Sequence, residues 1–147
     1  MIKVSVIKPF VGNFPVTSPF GERIDPISSV KKIHNGIDFG CPEGTPIRSV
    51  LDGKIFMSGW ECEKDHGLGY GRRVWIESKL DGKQFLIVYA HLSKIQRWTG
   101  DILKNEIIGL SGNTGKSTGA HLHLGCRIKN SSQFVDFTFI ADEVKNG

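Results

Sequence analysis

Short runs of apolar residues, many alternating with polar ones, recur along the chain with turn-forming residues between them. Such runs predict strands, because successive side chains of a strand point to opposite faces. Seven segments fit this pattern: 2–7, 46–50, 53–58, 72–78, 84–91, 106–110 and 120–127. The stretch SKLDGKQ between two of the runs predicts a hairpin turn at Asp81-Gly82.

No segment sustains the 3.6-residue apolar period of a long helix, and the best helix candidates are short, at 92–96 and 138–144. The pattern therefore predicts an all-β fold of antiparallel strands. With 147 residues and no linker-like segment or repeat, we expect a single domain over 1–147.

Composition narrows the range of partners. The net charge of +4 and pI of about 9.0 fit either an ordinary surface or mild attraction to a polyanion such as a cell wall. No dense Lys/Arg run with interleaved aromatics occurs, so no nucleic-acid partner is expected. The apolar run at 85–90 is too short to cross a bilayer, and no membrane partner is expected.

Three cysteines, Cys41, Cys62 and Cys126, are widely spaced. The absence of any C-x-x-C pair excludes a zinc knuckle and a thioredoxin-type motif. An odd number leaves at least one free thiol, so the cysteines do not indicate whether the protein resides in an oxidising or a reducing compartment.

Histidines supply the candidate chemistry. In GAHLHLG, His121 and His123 share one face of a predicted strand about 7 Å apart. In HNGID, a turn at Asn35-Gly36 can bring His34 and Asp38 onto one cation. The alternatives are a chance H-x-H on an exposed face and a surface turn in which Asp38 caps its own backbone.

His91 ends the apolar run FLIVYAHL, where a rigid strand can present a general base, or a histidine can simply mark the solvent boundary. His66 lies in a polar loop, and we leave it outside the metal site while a substrate contact stays open. Together the histidines and Asp38 suffice for three zinc ligands with an open fourth position, the catalytic kind of site. The H-E-x-x-H helix motif is absent.

Four blocks of the chain resemble, in order and spacing, those of the lysostaphin-like zinc metallopeptidases, family M23. The blocks are VTSPFGERIDPISSVKKIHNGIDFGCPEGTPI, VLDGKIFMSGW, YAHL and GLSGNTGKSTGAHLHLG, and the resemblance covers about residues 15–138. It implies one Zn²⁺ per chain on His34, Asp38 and His123, with His91 and His121 as unliganded catalytic histidines. It also implies lysostaphin-like sheets of the duplicated hybrid or barrel-sandwich type, with long groove-forming loops.

By this resemblance we expect a zinc metalloendopeptidase that cleaves stem-peptide cross-links or glycine-containing bridges of bacterial peptidoglycan. Two alternatives remain: a non-catalytic virion or cell-wall binding module, and a zinc peptidase of ordinary proteins. We further expect a monomer without a separate wall-binding domain. Because Lys3 and Lys8 interrupt any signal-peptide core, we expect a phage-encoded endolysin or virion enzyme rather than a secreted bacterial one.

The chain departs from the family pattern next to the H-x-H motif, where Ala120, Leu124 and Gly125 replace the usual Pro, aromatic and Glu. We expect altered substrate contacts there and retained zinc. Asn105 stands at a turn where the family has Gly, and Asn tolerates that left-handed geometry. The predicted groove walls are 21–33, 60–71, 92–99 and 111–118, in which Trp60, Tyr70 and Trp98 either line the groove or pack beneath loops.

Overall fold

The computed structural model describes residues 3–24 and 28–142, and all regular secondary structure in these residues is β-strand. The strands are β1 (Lys3–Ile7), β2 (Val16–Ser18), β3 (Gly21–Ile24), β4 (Lys31–His34), β5 (Ile37–Phe39), β6 (Pro46–Arg48), β7 (Gly53–Trp60), β8 (Arg72–Leu80), β9 (Lys83–Ala90), β10 (Leu92–Ile95), β11 (Asp101–Ile102), β12 (Ile107–Ser111), β13 (Leu122–Ile128) and β14 (Phe134–Ile140). The all-β prediction is confirmed.

Nine of these strands form the main sheet, in the order β1-β14-β13-β9-β8-β7-β11, with β5 attached to β13 and β2 attached to β5. A second sheet has the order β10-β12-β6, and β3 pairs with β4 in a separate hairpin. Every pairing of neighbouring strands is antiparallel except that of β1 with β14, which is parallel. The prediction of purely antiparallel pairing is therefore wrong at this edge, because sequence periodicity carries no information on strand direction.

All seven predicted strands are present. The predicted hairpin joins β8 to β9: Leu80 pairs with Lys83 across a two-residue turn. Asp81 and Gly82 both have positive φ, 52° and 78°, as a type I′ turn requires. Asn105 also adopts a left-handed φ of 76°, as expected from its place in the sequence.

Both short helix predictions are wrong. Residues 92–95 form β10, which pairs with β12, and residues 138–140 end β14; residues 143 and 144 lie outside the described part of the chain. In β14 the alternation of Val135 and Phe137, buried on one face, shows the two-residue period of a strand. Pairing with existing sheet edges outweighs the weak helical propensity of such short segments.

The core is shared by the main sheet and the three-stranded sheet, and its centre is β9, where every residue from 85 to 90 is buried. Tyr89 is fully buried there, and its hydroxyl oxygen accepts a hydrogen bond from the Val50 N–H at 3.0 Å. No helix that could span a membrane occurs among residues 3–24 and 28–142.

The three cysteines are free thiols with different exposure: Cys41 and Cys126 are buried, and Cys62 is half-buried. Burial raises the pKa of Cys41, and it raises the pKa of Cys126 to about 12. Because the thiolate is the nucleophile, we expect a chromogenic disulfide reagent to modify one thiol of the native protein quickly and three after unfolding. Cys62→Ser should abolish the fast phase; two fast thiols in the native protein would contradict this accessibility.

Candidate metal centre and active site

Two neighbouring strands place an acid and a histidine directly opposite each other. In the pairing of β5 with β13, Asp38 is the register partner of His123. Ile37 and Phe39 on either side of Asp38 are buried in the core, so strand alternation turns the carboxylate to the opposite face. His34, the last residue of β4, reaches the same point through the turn at Asn35-Gly36.

Three donor atoms converge at this point. Asp38 Oδ1 lies 2.8 Å from His123 Nδ1 and 3.3 Å from His34 Nε2, and the two nitrogens are 3.3 Å apart. The three ligand atoms all lie within 4.8 Å of one another. Two imidazole nitrogens and one carboxylate oxygen are a typical donor set for zinc with an open coordination position, so these residues fit that ion.

Hydrogen bonds prepare each donor for this role. His34 Nδ1–H donates to the Pro19 carbonyl at 2.9 Å, which leaves the lone pair on Nε2, the atom facing Asp38. When Nε2 carries a proton instead, its hydrogen bond to Asp38 raises the pKa of His34, against the opposing effect of burial. Burial alone would raise the pKa of Asp38, but hydrogen bonds from His123 and His34 outweigh it and hold that pKa well below the usual range.

Close backbone packing fixes the His123 ring. Its Nε2 is buried without a hydrogen-bond partner, and Gly36 lies against the same edge of the ring. A β-carbon at position 36 would lie 2.6 Å from His123 Cε1, 2.7 Å from Nε2 and 2.6 Å from the Leu124 carbonyl oxygen. The turn therefore needs Gly36 because of this close approach to a candidate metal ligand.

Gly36→Ala is expected to displace the His123 ring and weaken zinc binding by about 10- to 100-fold, the range seen when the surroundings of a ligand are disturbed. Competition with a zinc chelator measures this change. Gly119→Ala is the matched control, because a β-carbon at position 119 meets nothing within 4 Å. Equal zinc affinity of the two variants would show that the Gly36 contact does not position the ligand.

His91 follows β9 and faces the same centre. Its backbone has φ 61°, its N–H donates to the Tyr70 carbonyl, and its Nδ1–H donates to the Thr114 carbonyl at 2.6 Å. Its ring centroid lies 4.6 Å from that of His121 and 6.2 Å from that of His123. Burial and the neighbouring histidines lower the pKa of His91 to about 4, despite the hydrogen bond to Thr114. At neutral pH, His91 is thus an uncharged imidazole with its lone pair on Nε2.

His121 precedes β13 and is held by its own turn. Its Nδ1–H donates to the Gly119 carbonyl at 2.8 Å, and Ser117 Oγ lies 3.1 Å from the same nitrogen. Its Nε2 points to the metal centre, 3.8 Å from Asp38 Oδ1. The structure thus brings together His34, Asp38, His91, His121 and His123, all five residues singled out from the sequence.

His66 lies apart from this cluster. Its ring stacks on Trp60, with centroids 3.6 Å apart and planes at 5°, and the Arg72 guanidinium carbon lies 4.5 Å from the centroid of the Trp60 ring. The stack anchors the loop between β7 and β8. The backbone carbonyl of His66 in this loop also accepts a hydrogen bond from the Gly115 N–H. Trp60 therefore packs under its loop.

Tyr70 is the aromatic that reaches the site, with its ring centroid 5.3 Å from that of His123. Trp98 is about half exposed at 52% and lies within 4 Å of where a β-carbon of Gly59 would be. The residues missed from the sequence are those that act through backbone carbonyls, above all Thr114. A carbonyl acceptor has no side-chain signature, so the histidine pattern alone could not have located it.

Comparison with known proteins agrees with this arrangement. The sequence model described as Peptidase family M23 matches residues 32–136, which include all five site residues. The chain belongs to peptidase family M23. Among curated members, DD-carboxypeptidase/endopeptidase Mpg of Neisseria meningitidis serogroup B is 42% identical over 113 residues, covering 77% of this chain and 24% of Mpg.

Another M23 relative, peptidoglycan DD-endopeptidase ShyA of Vibrio cholerae, is 38% identical over 102 residues, covering 69% of this chain and 22% of ShyA. The chain thus spans about a quarter of the length of these relatives. The catalytic domain of the antimicrobial peptidase lysostaphin from Staphylococcus simulans superposes with a TM-score of 0.67 at 32% identity, covering 81% of this chain and 84% of that domain. The lysostaphin-like M23 fold expected from the sequence is confirmed.

Proposed function

We propose that this protein is a zinc-dependent endopeptidase that hydrolyses peptide bonds of bacterial peptidoglycan. The observation that carries the proposal is the convergence of three metal donors with two further histidines, each hydrogen-bonded through Nδ1 to a backbone carbonyl. The relatives Mpg and ShyA, named as endopeptidases, support the reaction class, and ShyA supports the wall substrate.

The chemistry divides between the two sets of residues. His34, Asp38 and His123 would hold the zinc ion, which supplies Lewis-acid activation of a peptide carbonyl and of water. His91 and His121 share the remaining roles: one accepts a proton at Nε2, and the other, when it carries a proton on Nε2 as well as on Nδ1, donates a hydrogen bond to the oxyanion. The lowered pKa of His91 keeps its ring uncharged at neutral pH, and the Thr114 carbonyl holds its Nδ1–H, so its lone pair lies on Nε2.

The wall substrate also agrees with the charge of the chain, because a net charge of +4 favours approach to an anionic wall. The scissile bond lies either in a stem-peptide cross-link or in a glycine-containing bridge. Monomeric action on the wall by a phage-encoded enzyme remains a prediction from the sequence.

Digestion of purified walls tests this function. Zinc-loaded protein is incubated with walls cross-linked directly through stem peptides, with glycine-bridged walls and with casein, and the soluble products are analysed by mass spectrometry. We expect new amino termini at a wall peptide bond, and none when His91 and His121 are both replaced by alanine. Zinc-loaded protein that leaves every wall intact would favour a binding module. Cleavage of casein alone would indicate a general peptidase.

A further inference from the structure

A cavity of about 300 Å³ lies on the main sheet beside the metal centre. Four of the seven lining residues are aromatic and one is a cation: the cavity is lined by Phe56, Met57, Tyr70, Trp75, Arg127, Ser132 and Phe134. None of these residues takes part in the proposed hydrolysis. A charged group in an aromatic cavity next to a catalytic centre suggests a role in holding substrate.

Tyr70 connects the cavity to the metal centre. Its ring centroid lies 5.3 Å from that of His123 and 6.1 Å from that of Trp75. His123 and Arg127 both belong to β13 and are four residues apart, so strand alternation puts them on the same face. At about 3.3 Å per residue their α-carbons are about 13 Å apart, the span of a few residues of an extended peptide.

The Arg127 guanidinium lacks the partners that its neighbours have. Its Nε is buried without a hydrogen-bond partner, and the guanidinium carbon Cζ lies 5.6 Å from the centroid of the Trp75 ring. Within the described residues no carboxylate forms an ion pair with it. Lys129, two residues on, pairs with Glu77 at 2.6 Å.

Arg73, the other arginine on this side of the sheet, also has a buried Nε without a partner, but its two Nη atoms make hydrogen bonds. It donates hydrogen bonds to the Gly59 and Trp60 carbonyls at 3.1 and 2.9 Å. Among the described residues that line the cavity, Arg127 is the cation without an ion-pair or hydrogen-bond partner. Leaving a buried donor of a charged group without an acceptor is costly, so a ligand that supplies an acceptor would bind favourably.

We propose that Arg127 forms a subsite for a substrate carboxylate, and that the enzyme therefore acts on stem peptides rather than on glycine bridges. The proposal rests on the proposed peptidoglycan function and refines its substrate class. Stem peptides of peptidoglycan carry free carboxylates along their length, whereas an oligoglycine bridge carries none between its ends. A guanidinium binds a carboxylate through two parallel N–H···O hydrogen bonds.

Binding tests the subsite without catalysis. The wild-type protein is titrated with a free stem tetrapeptide and with the same peptide fully amidated, and the Arg127 Nε–H resonance is followed by NMR. We expect the acidic peptide to shift this resonance and to bind about 10- to 100-fold more tightly, the effect of one or two hydrogen bonds to a charged group. Equal affinity for the two peptides would overturn the proposal.

Variants assign the preference to this side chain. Arg127→Met should remove the preference for the acidic peptide, and Arg127→Lys should keep part of it, since an ammonium lacks the fork geometry. Lys83→Gln, which removes one positive charge at an exposed position on the β8–β9 hairpin, should leave it unchanged. The same loss of preference in Lys83→Gln would reduce the effect to net charge and contradict a subsite.

Cleavage separates this proposal from the function on which it rests. Wild-type enzyme should cleave acidic stem-peptide cross-links about 10- to 100-fold faster at low substrate than amidated ones, and Arg127→Met should cleave both at similar rates. Equal wild-type rates would refute the subsite while leaving peptidoglycan hydrolysis intact. A carboxylate preference in binding with no wall cleavage at all would refute the hydrolase and leave the subsite standing.

Discussion

His123→Ala is expected to lose stoichiometric zinc and to reduce turnover of wall peptides by more than about 1000-fold, because metal activation of the carbonyl is lost with the ligand. His123 Nδ1 lies 2.8 Å from Asp38 Oδ1 and 3.3 Å from His34 Nε2, so no other side chain of this centre can take its place without moving. Metal analysis after dialysis, together with initial rates, measures both effects.

The matched control is His66→Ala, which removes a histidine that stacks on Trp60 outside the centre. This variant should keep one zinc per chain. Circular dichroism of both variants checks that the sheet is intact. Full zinc occupancy of folded His123→Ala would mean that the ion is held elsewhere, and the proposed donor set would be wrong.

His121→Ala is expected to keep zinc and to lose about 100- to 10,000-fold in kcat, the range for removal of a group that transfers or holds a proton. The reason is geometric: Nδ1 of His121 donates to the Gly119 carbonyl, while Nε2 stands 3.8 Å from Asp38 Oδ1 and faces the substrate side. Substrate affinity should change little, so the loss falls on kcat rather than on KM.

The comparison between the two histidine variants decides the division of labour. We expect His121→Ala to retain zinc and lose turnover, and His123→Ala to lose zinc. This result would assign catalysis to His121 and metal binding to His123. An equal loss of zinc in both variants would contradict this assignment.

Much of this arrangement could be predicted from the sequence, because the responsible patterns are local. The period of two over 120–127 places His121 and His123 on one face, and the Asp81-Gly82 turn predicts the hairpin of β8 and β9. The alternation of apolar and polar residues cannot predict which strands pair with β13. Asp38 and His123 are 85 positions apart, and only the pairing of β5 with β13 brings them together.

The same limit explains the errors and omissions. Residues 92–95 form a strand because β12 offers an edge to pair with, which is a property of the folded sheet and not of the segment. The acceptor that orients His91 is the Thr114 carbonyl, a group that every residue possesses. The sequence does not single out Arg127, because the absence of a partner for its Nε is a property of the folded structure.

The direct pairing of Asp38 with His123 makes the metal centre a reporter of correct sheet assembly. If β13 slipped by one residue against β5, its side chains would exchange faces, and an apolar leucine would stand where the imidazole belongs. A sheet misaligned in this way would keep its strands, yet it would turn the core residues Leu122 and Leu124 outward and present no complete set of donors. Zinc bound per chain therefore measures the fraction of molecules that have folded in the right register, a quantity that strand content alone would not reveal.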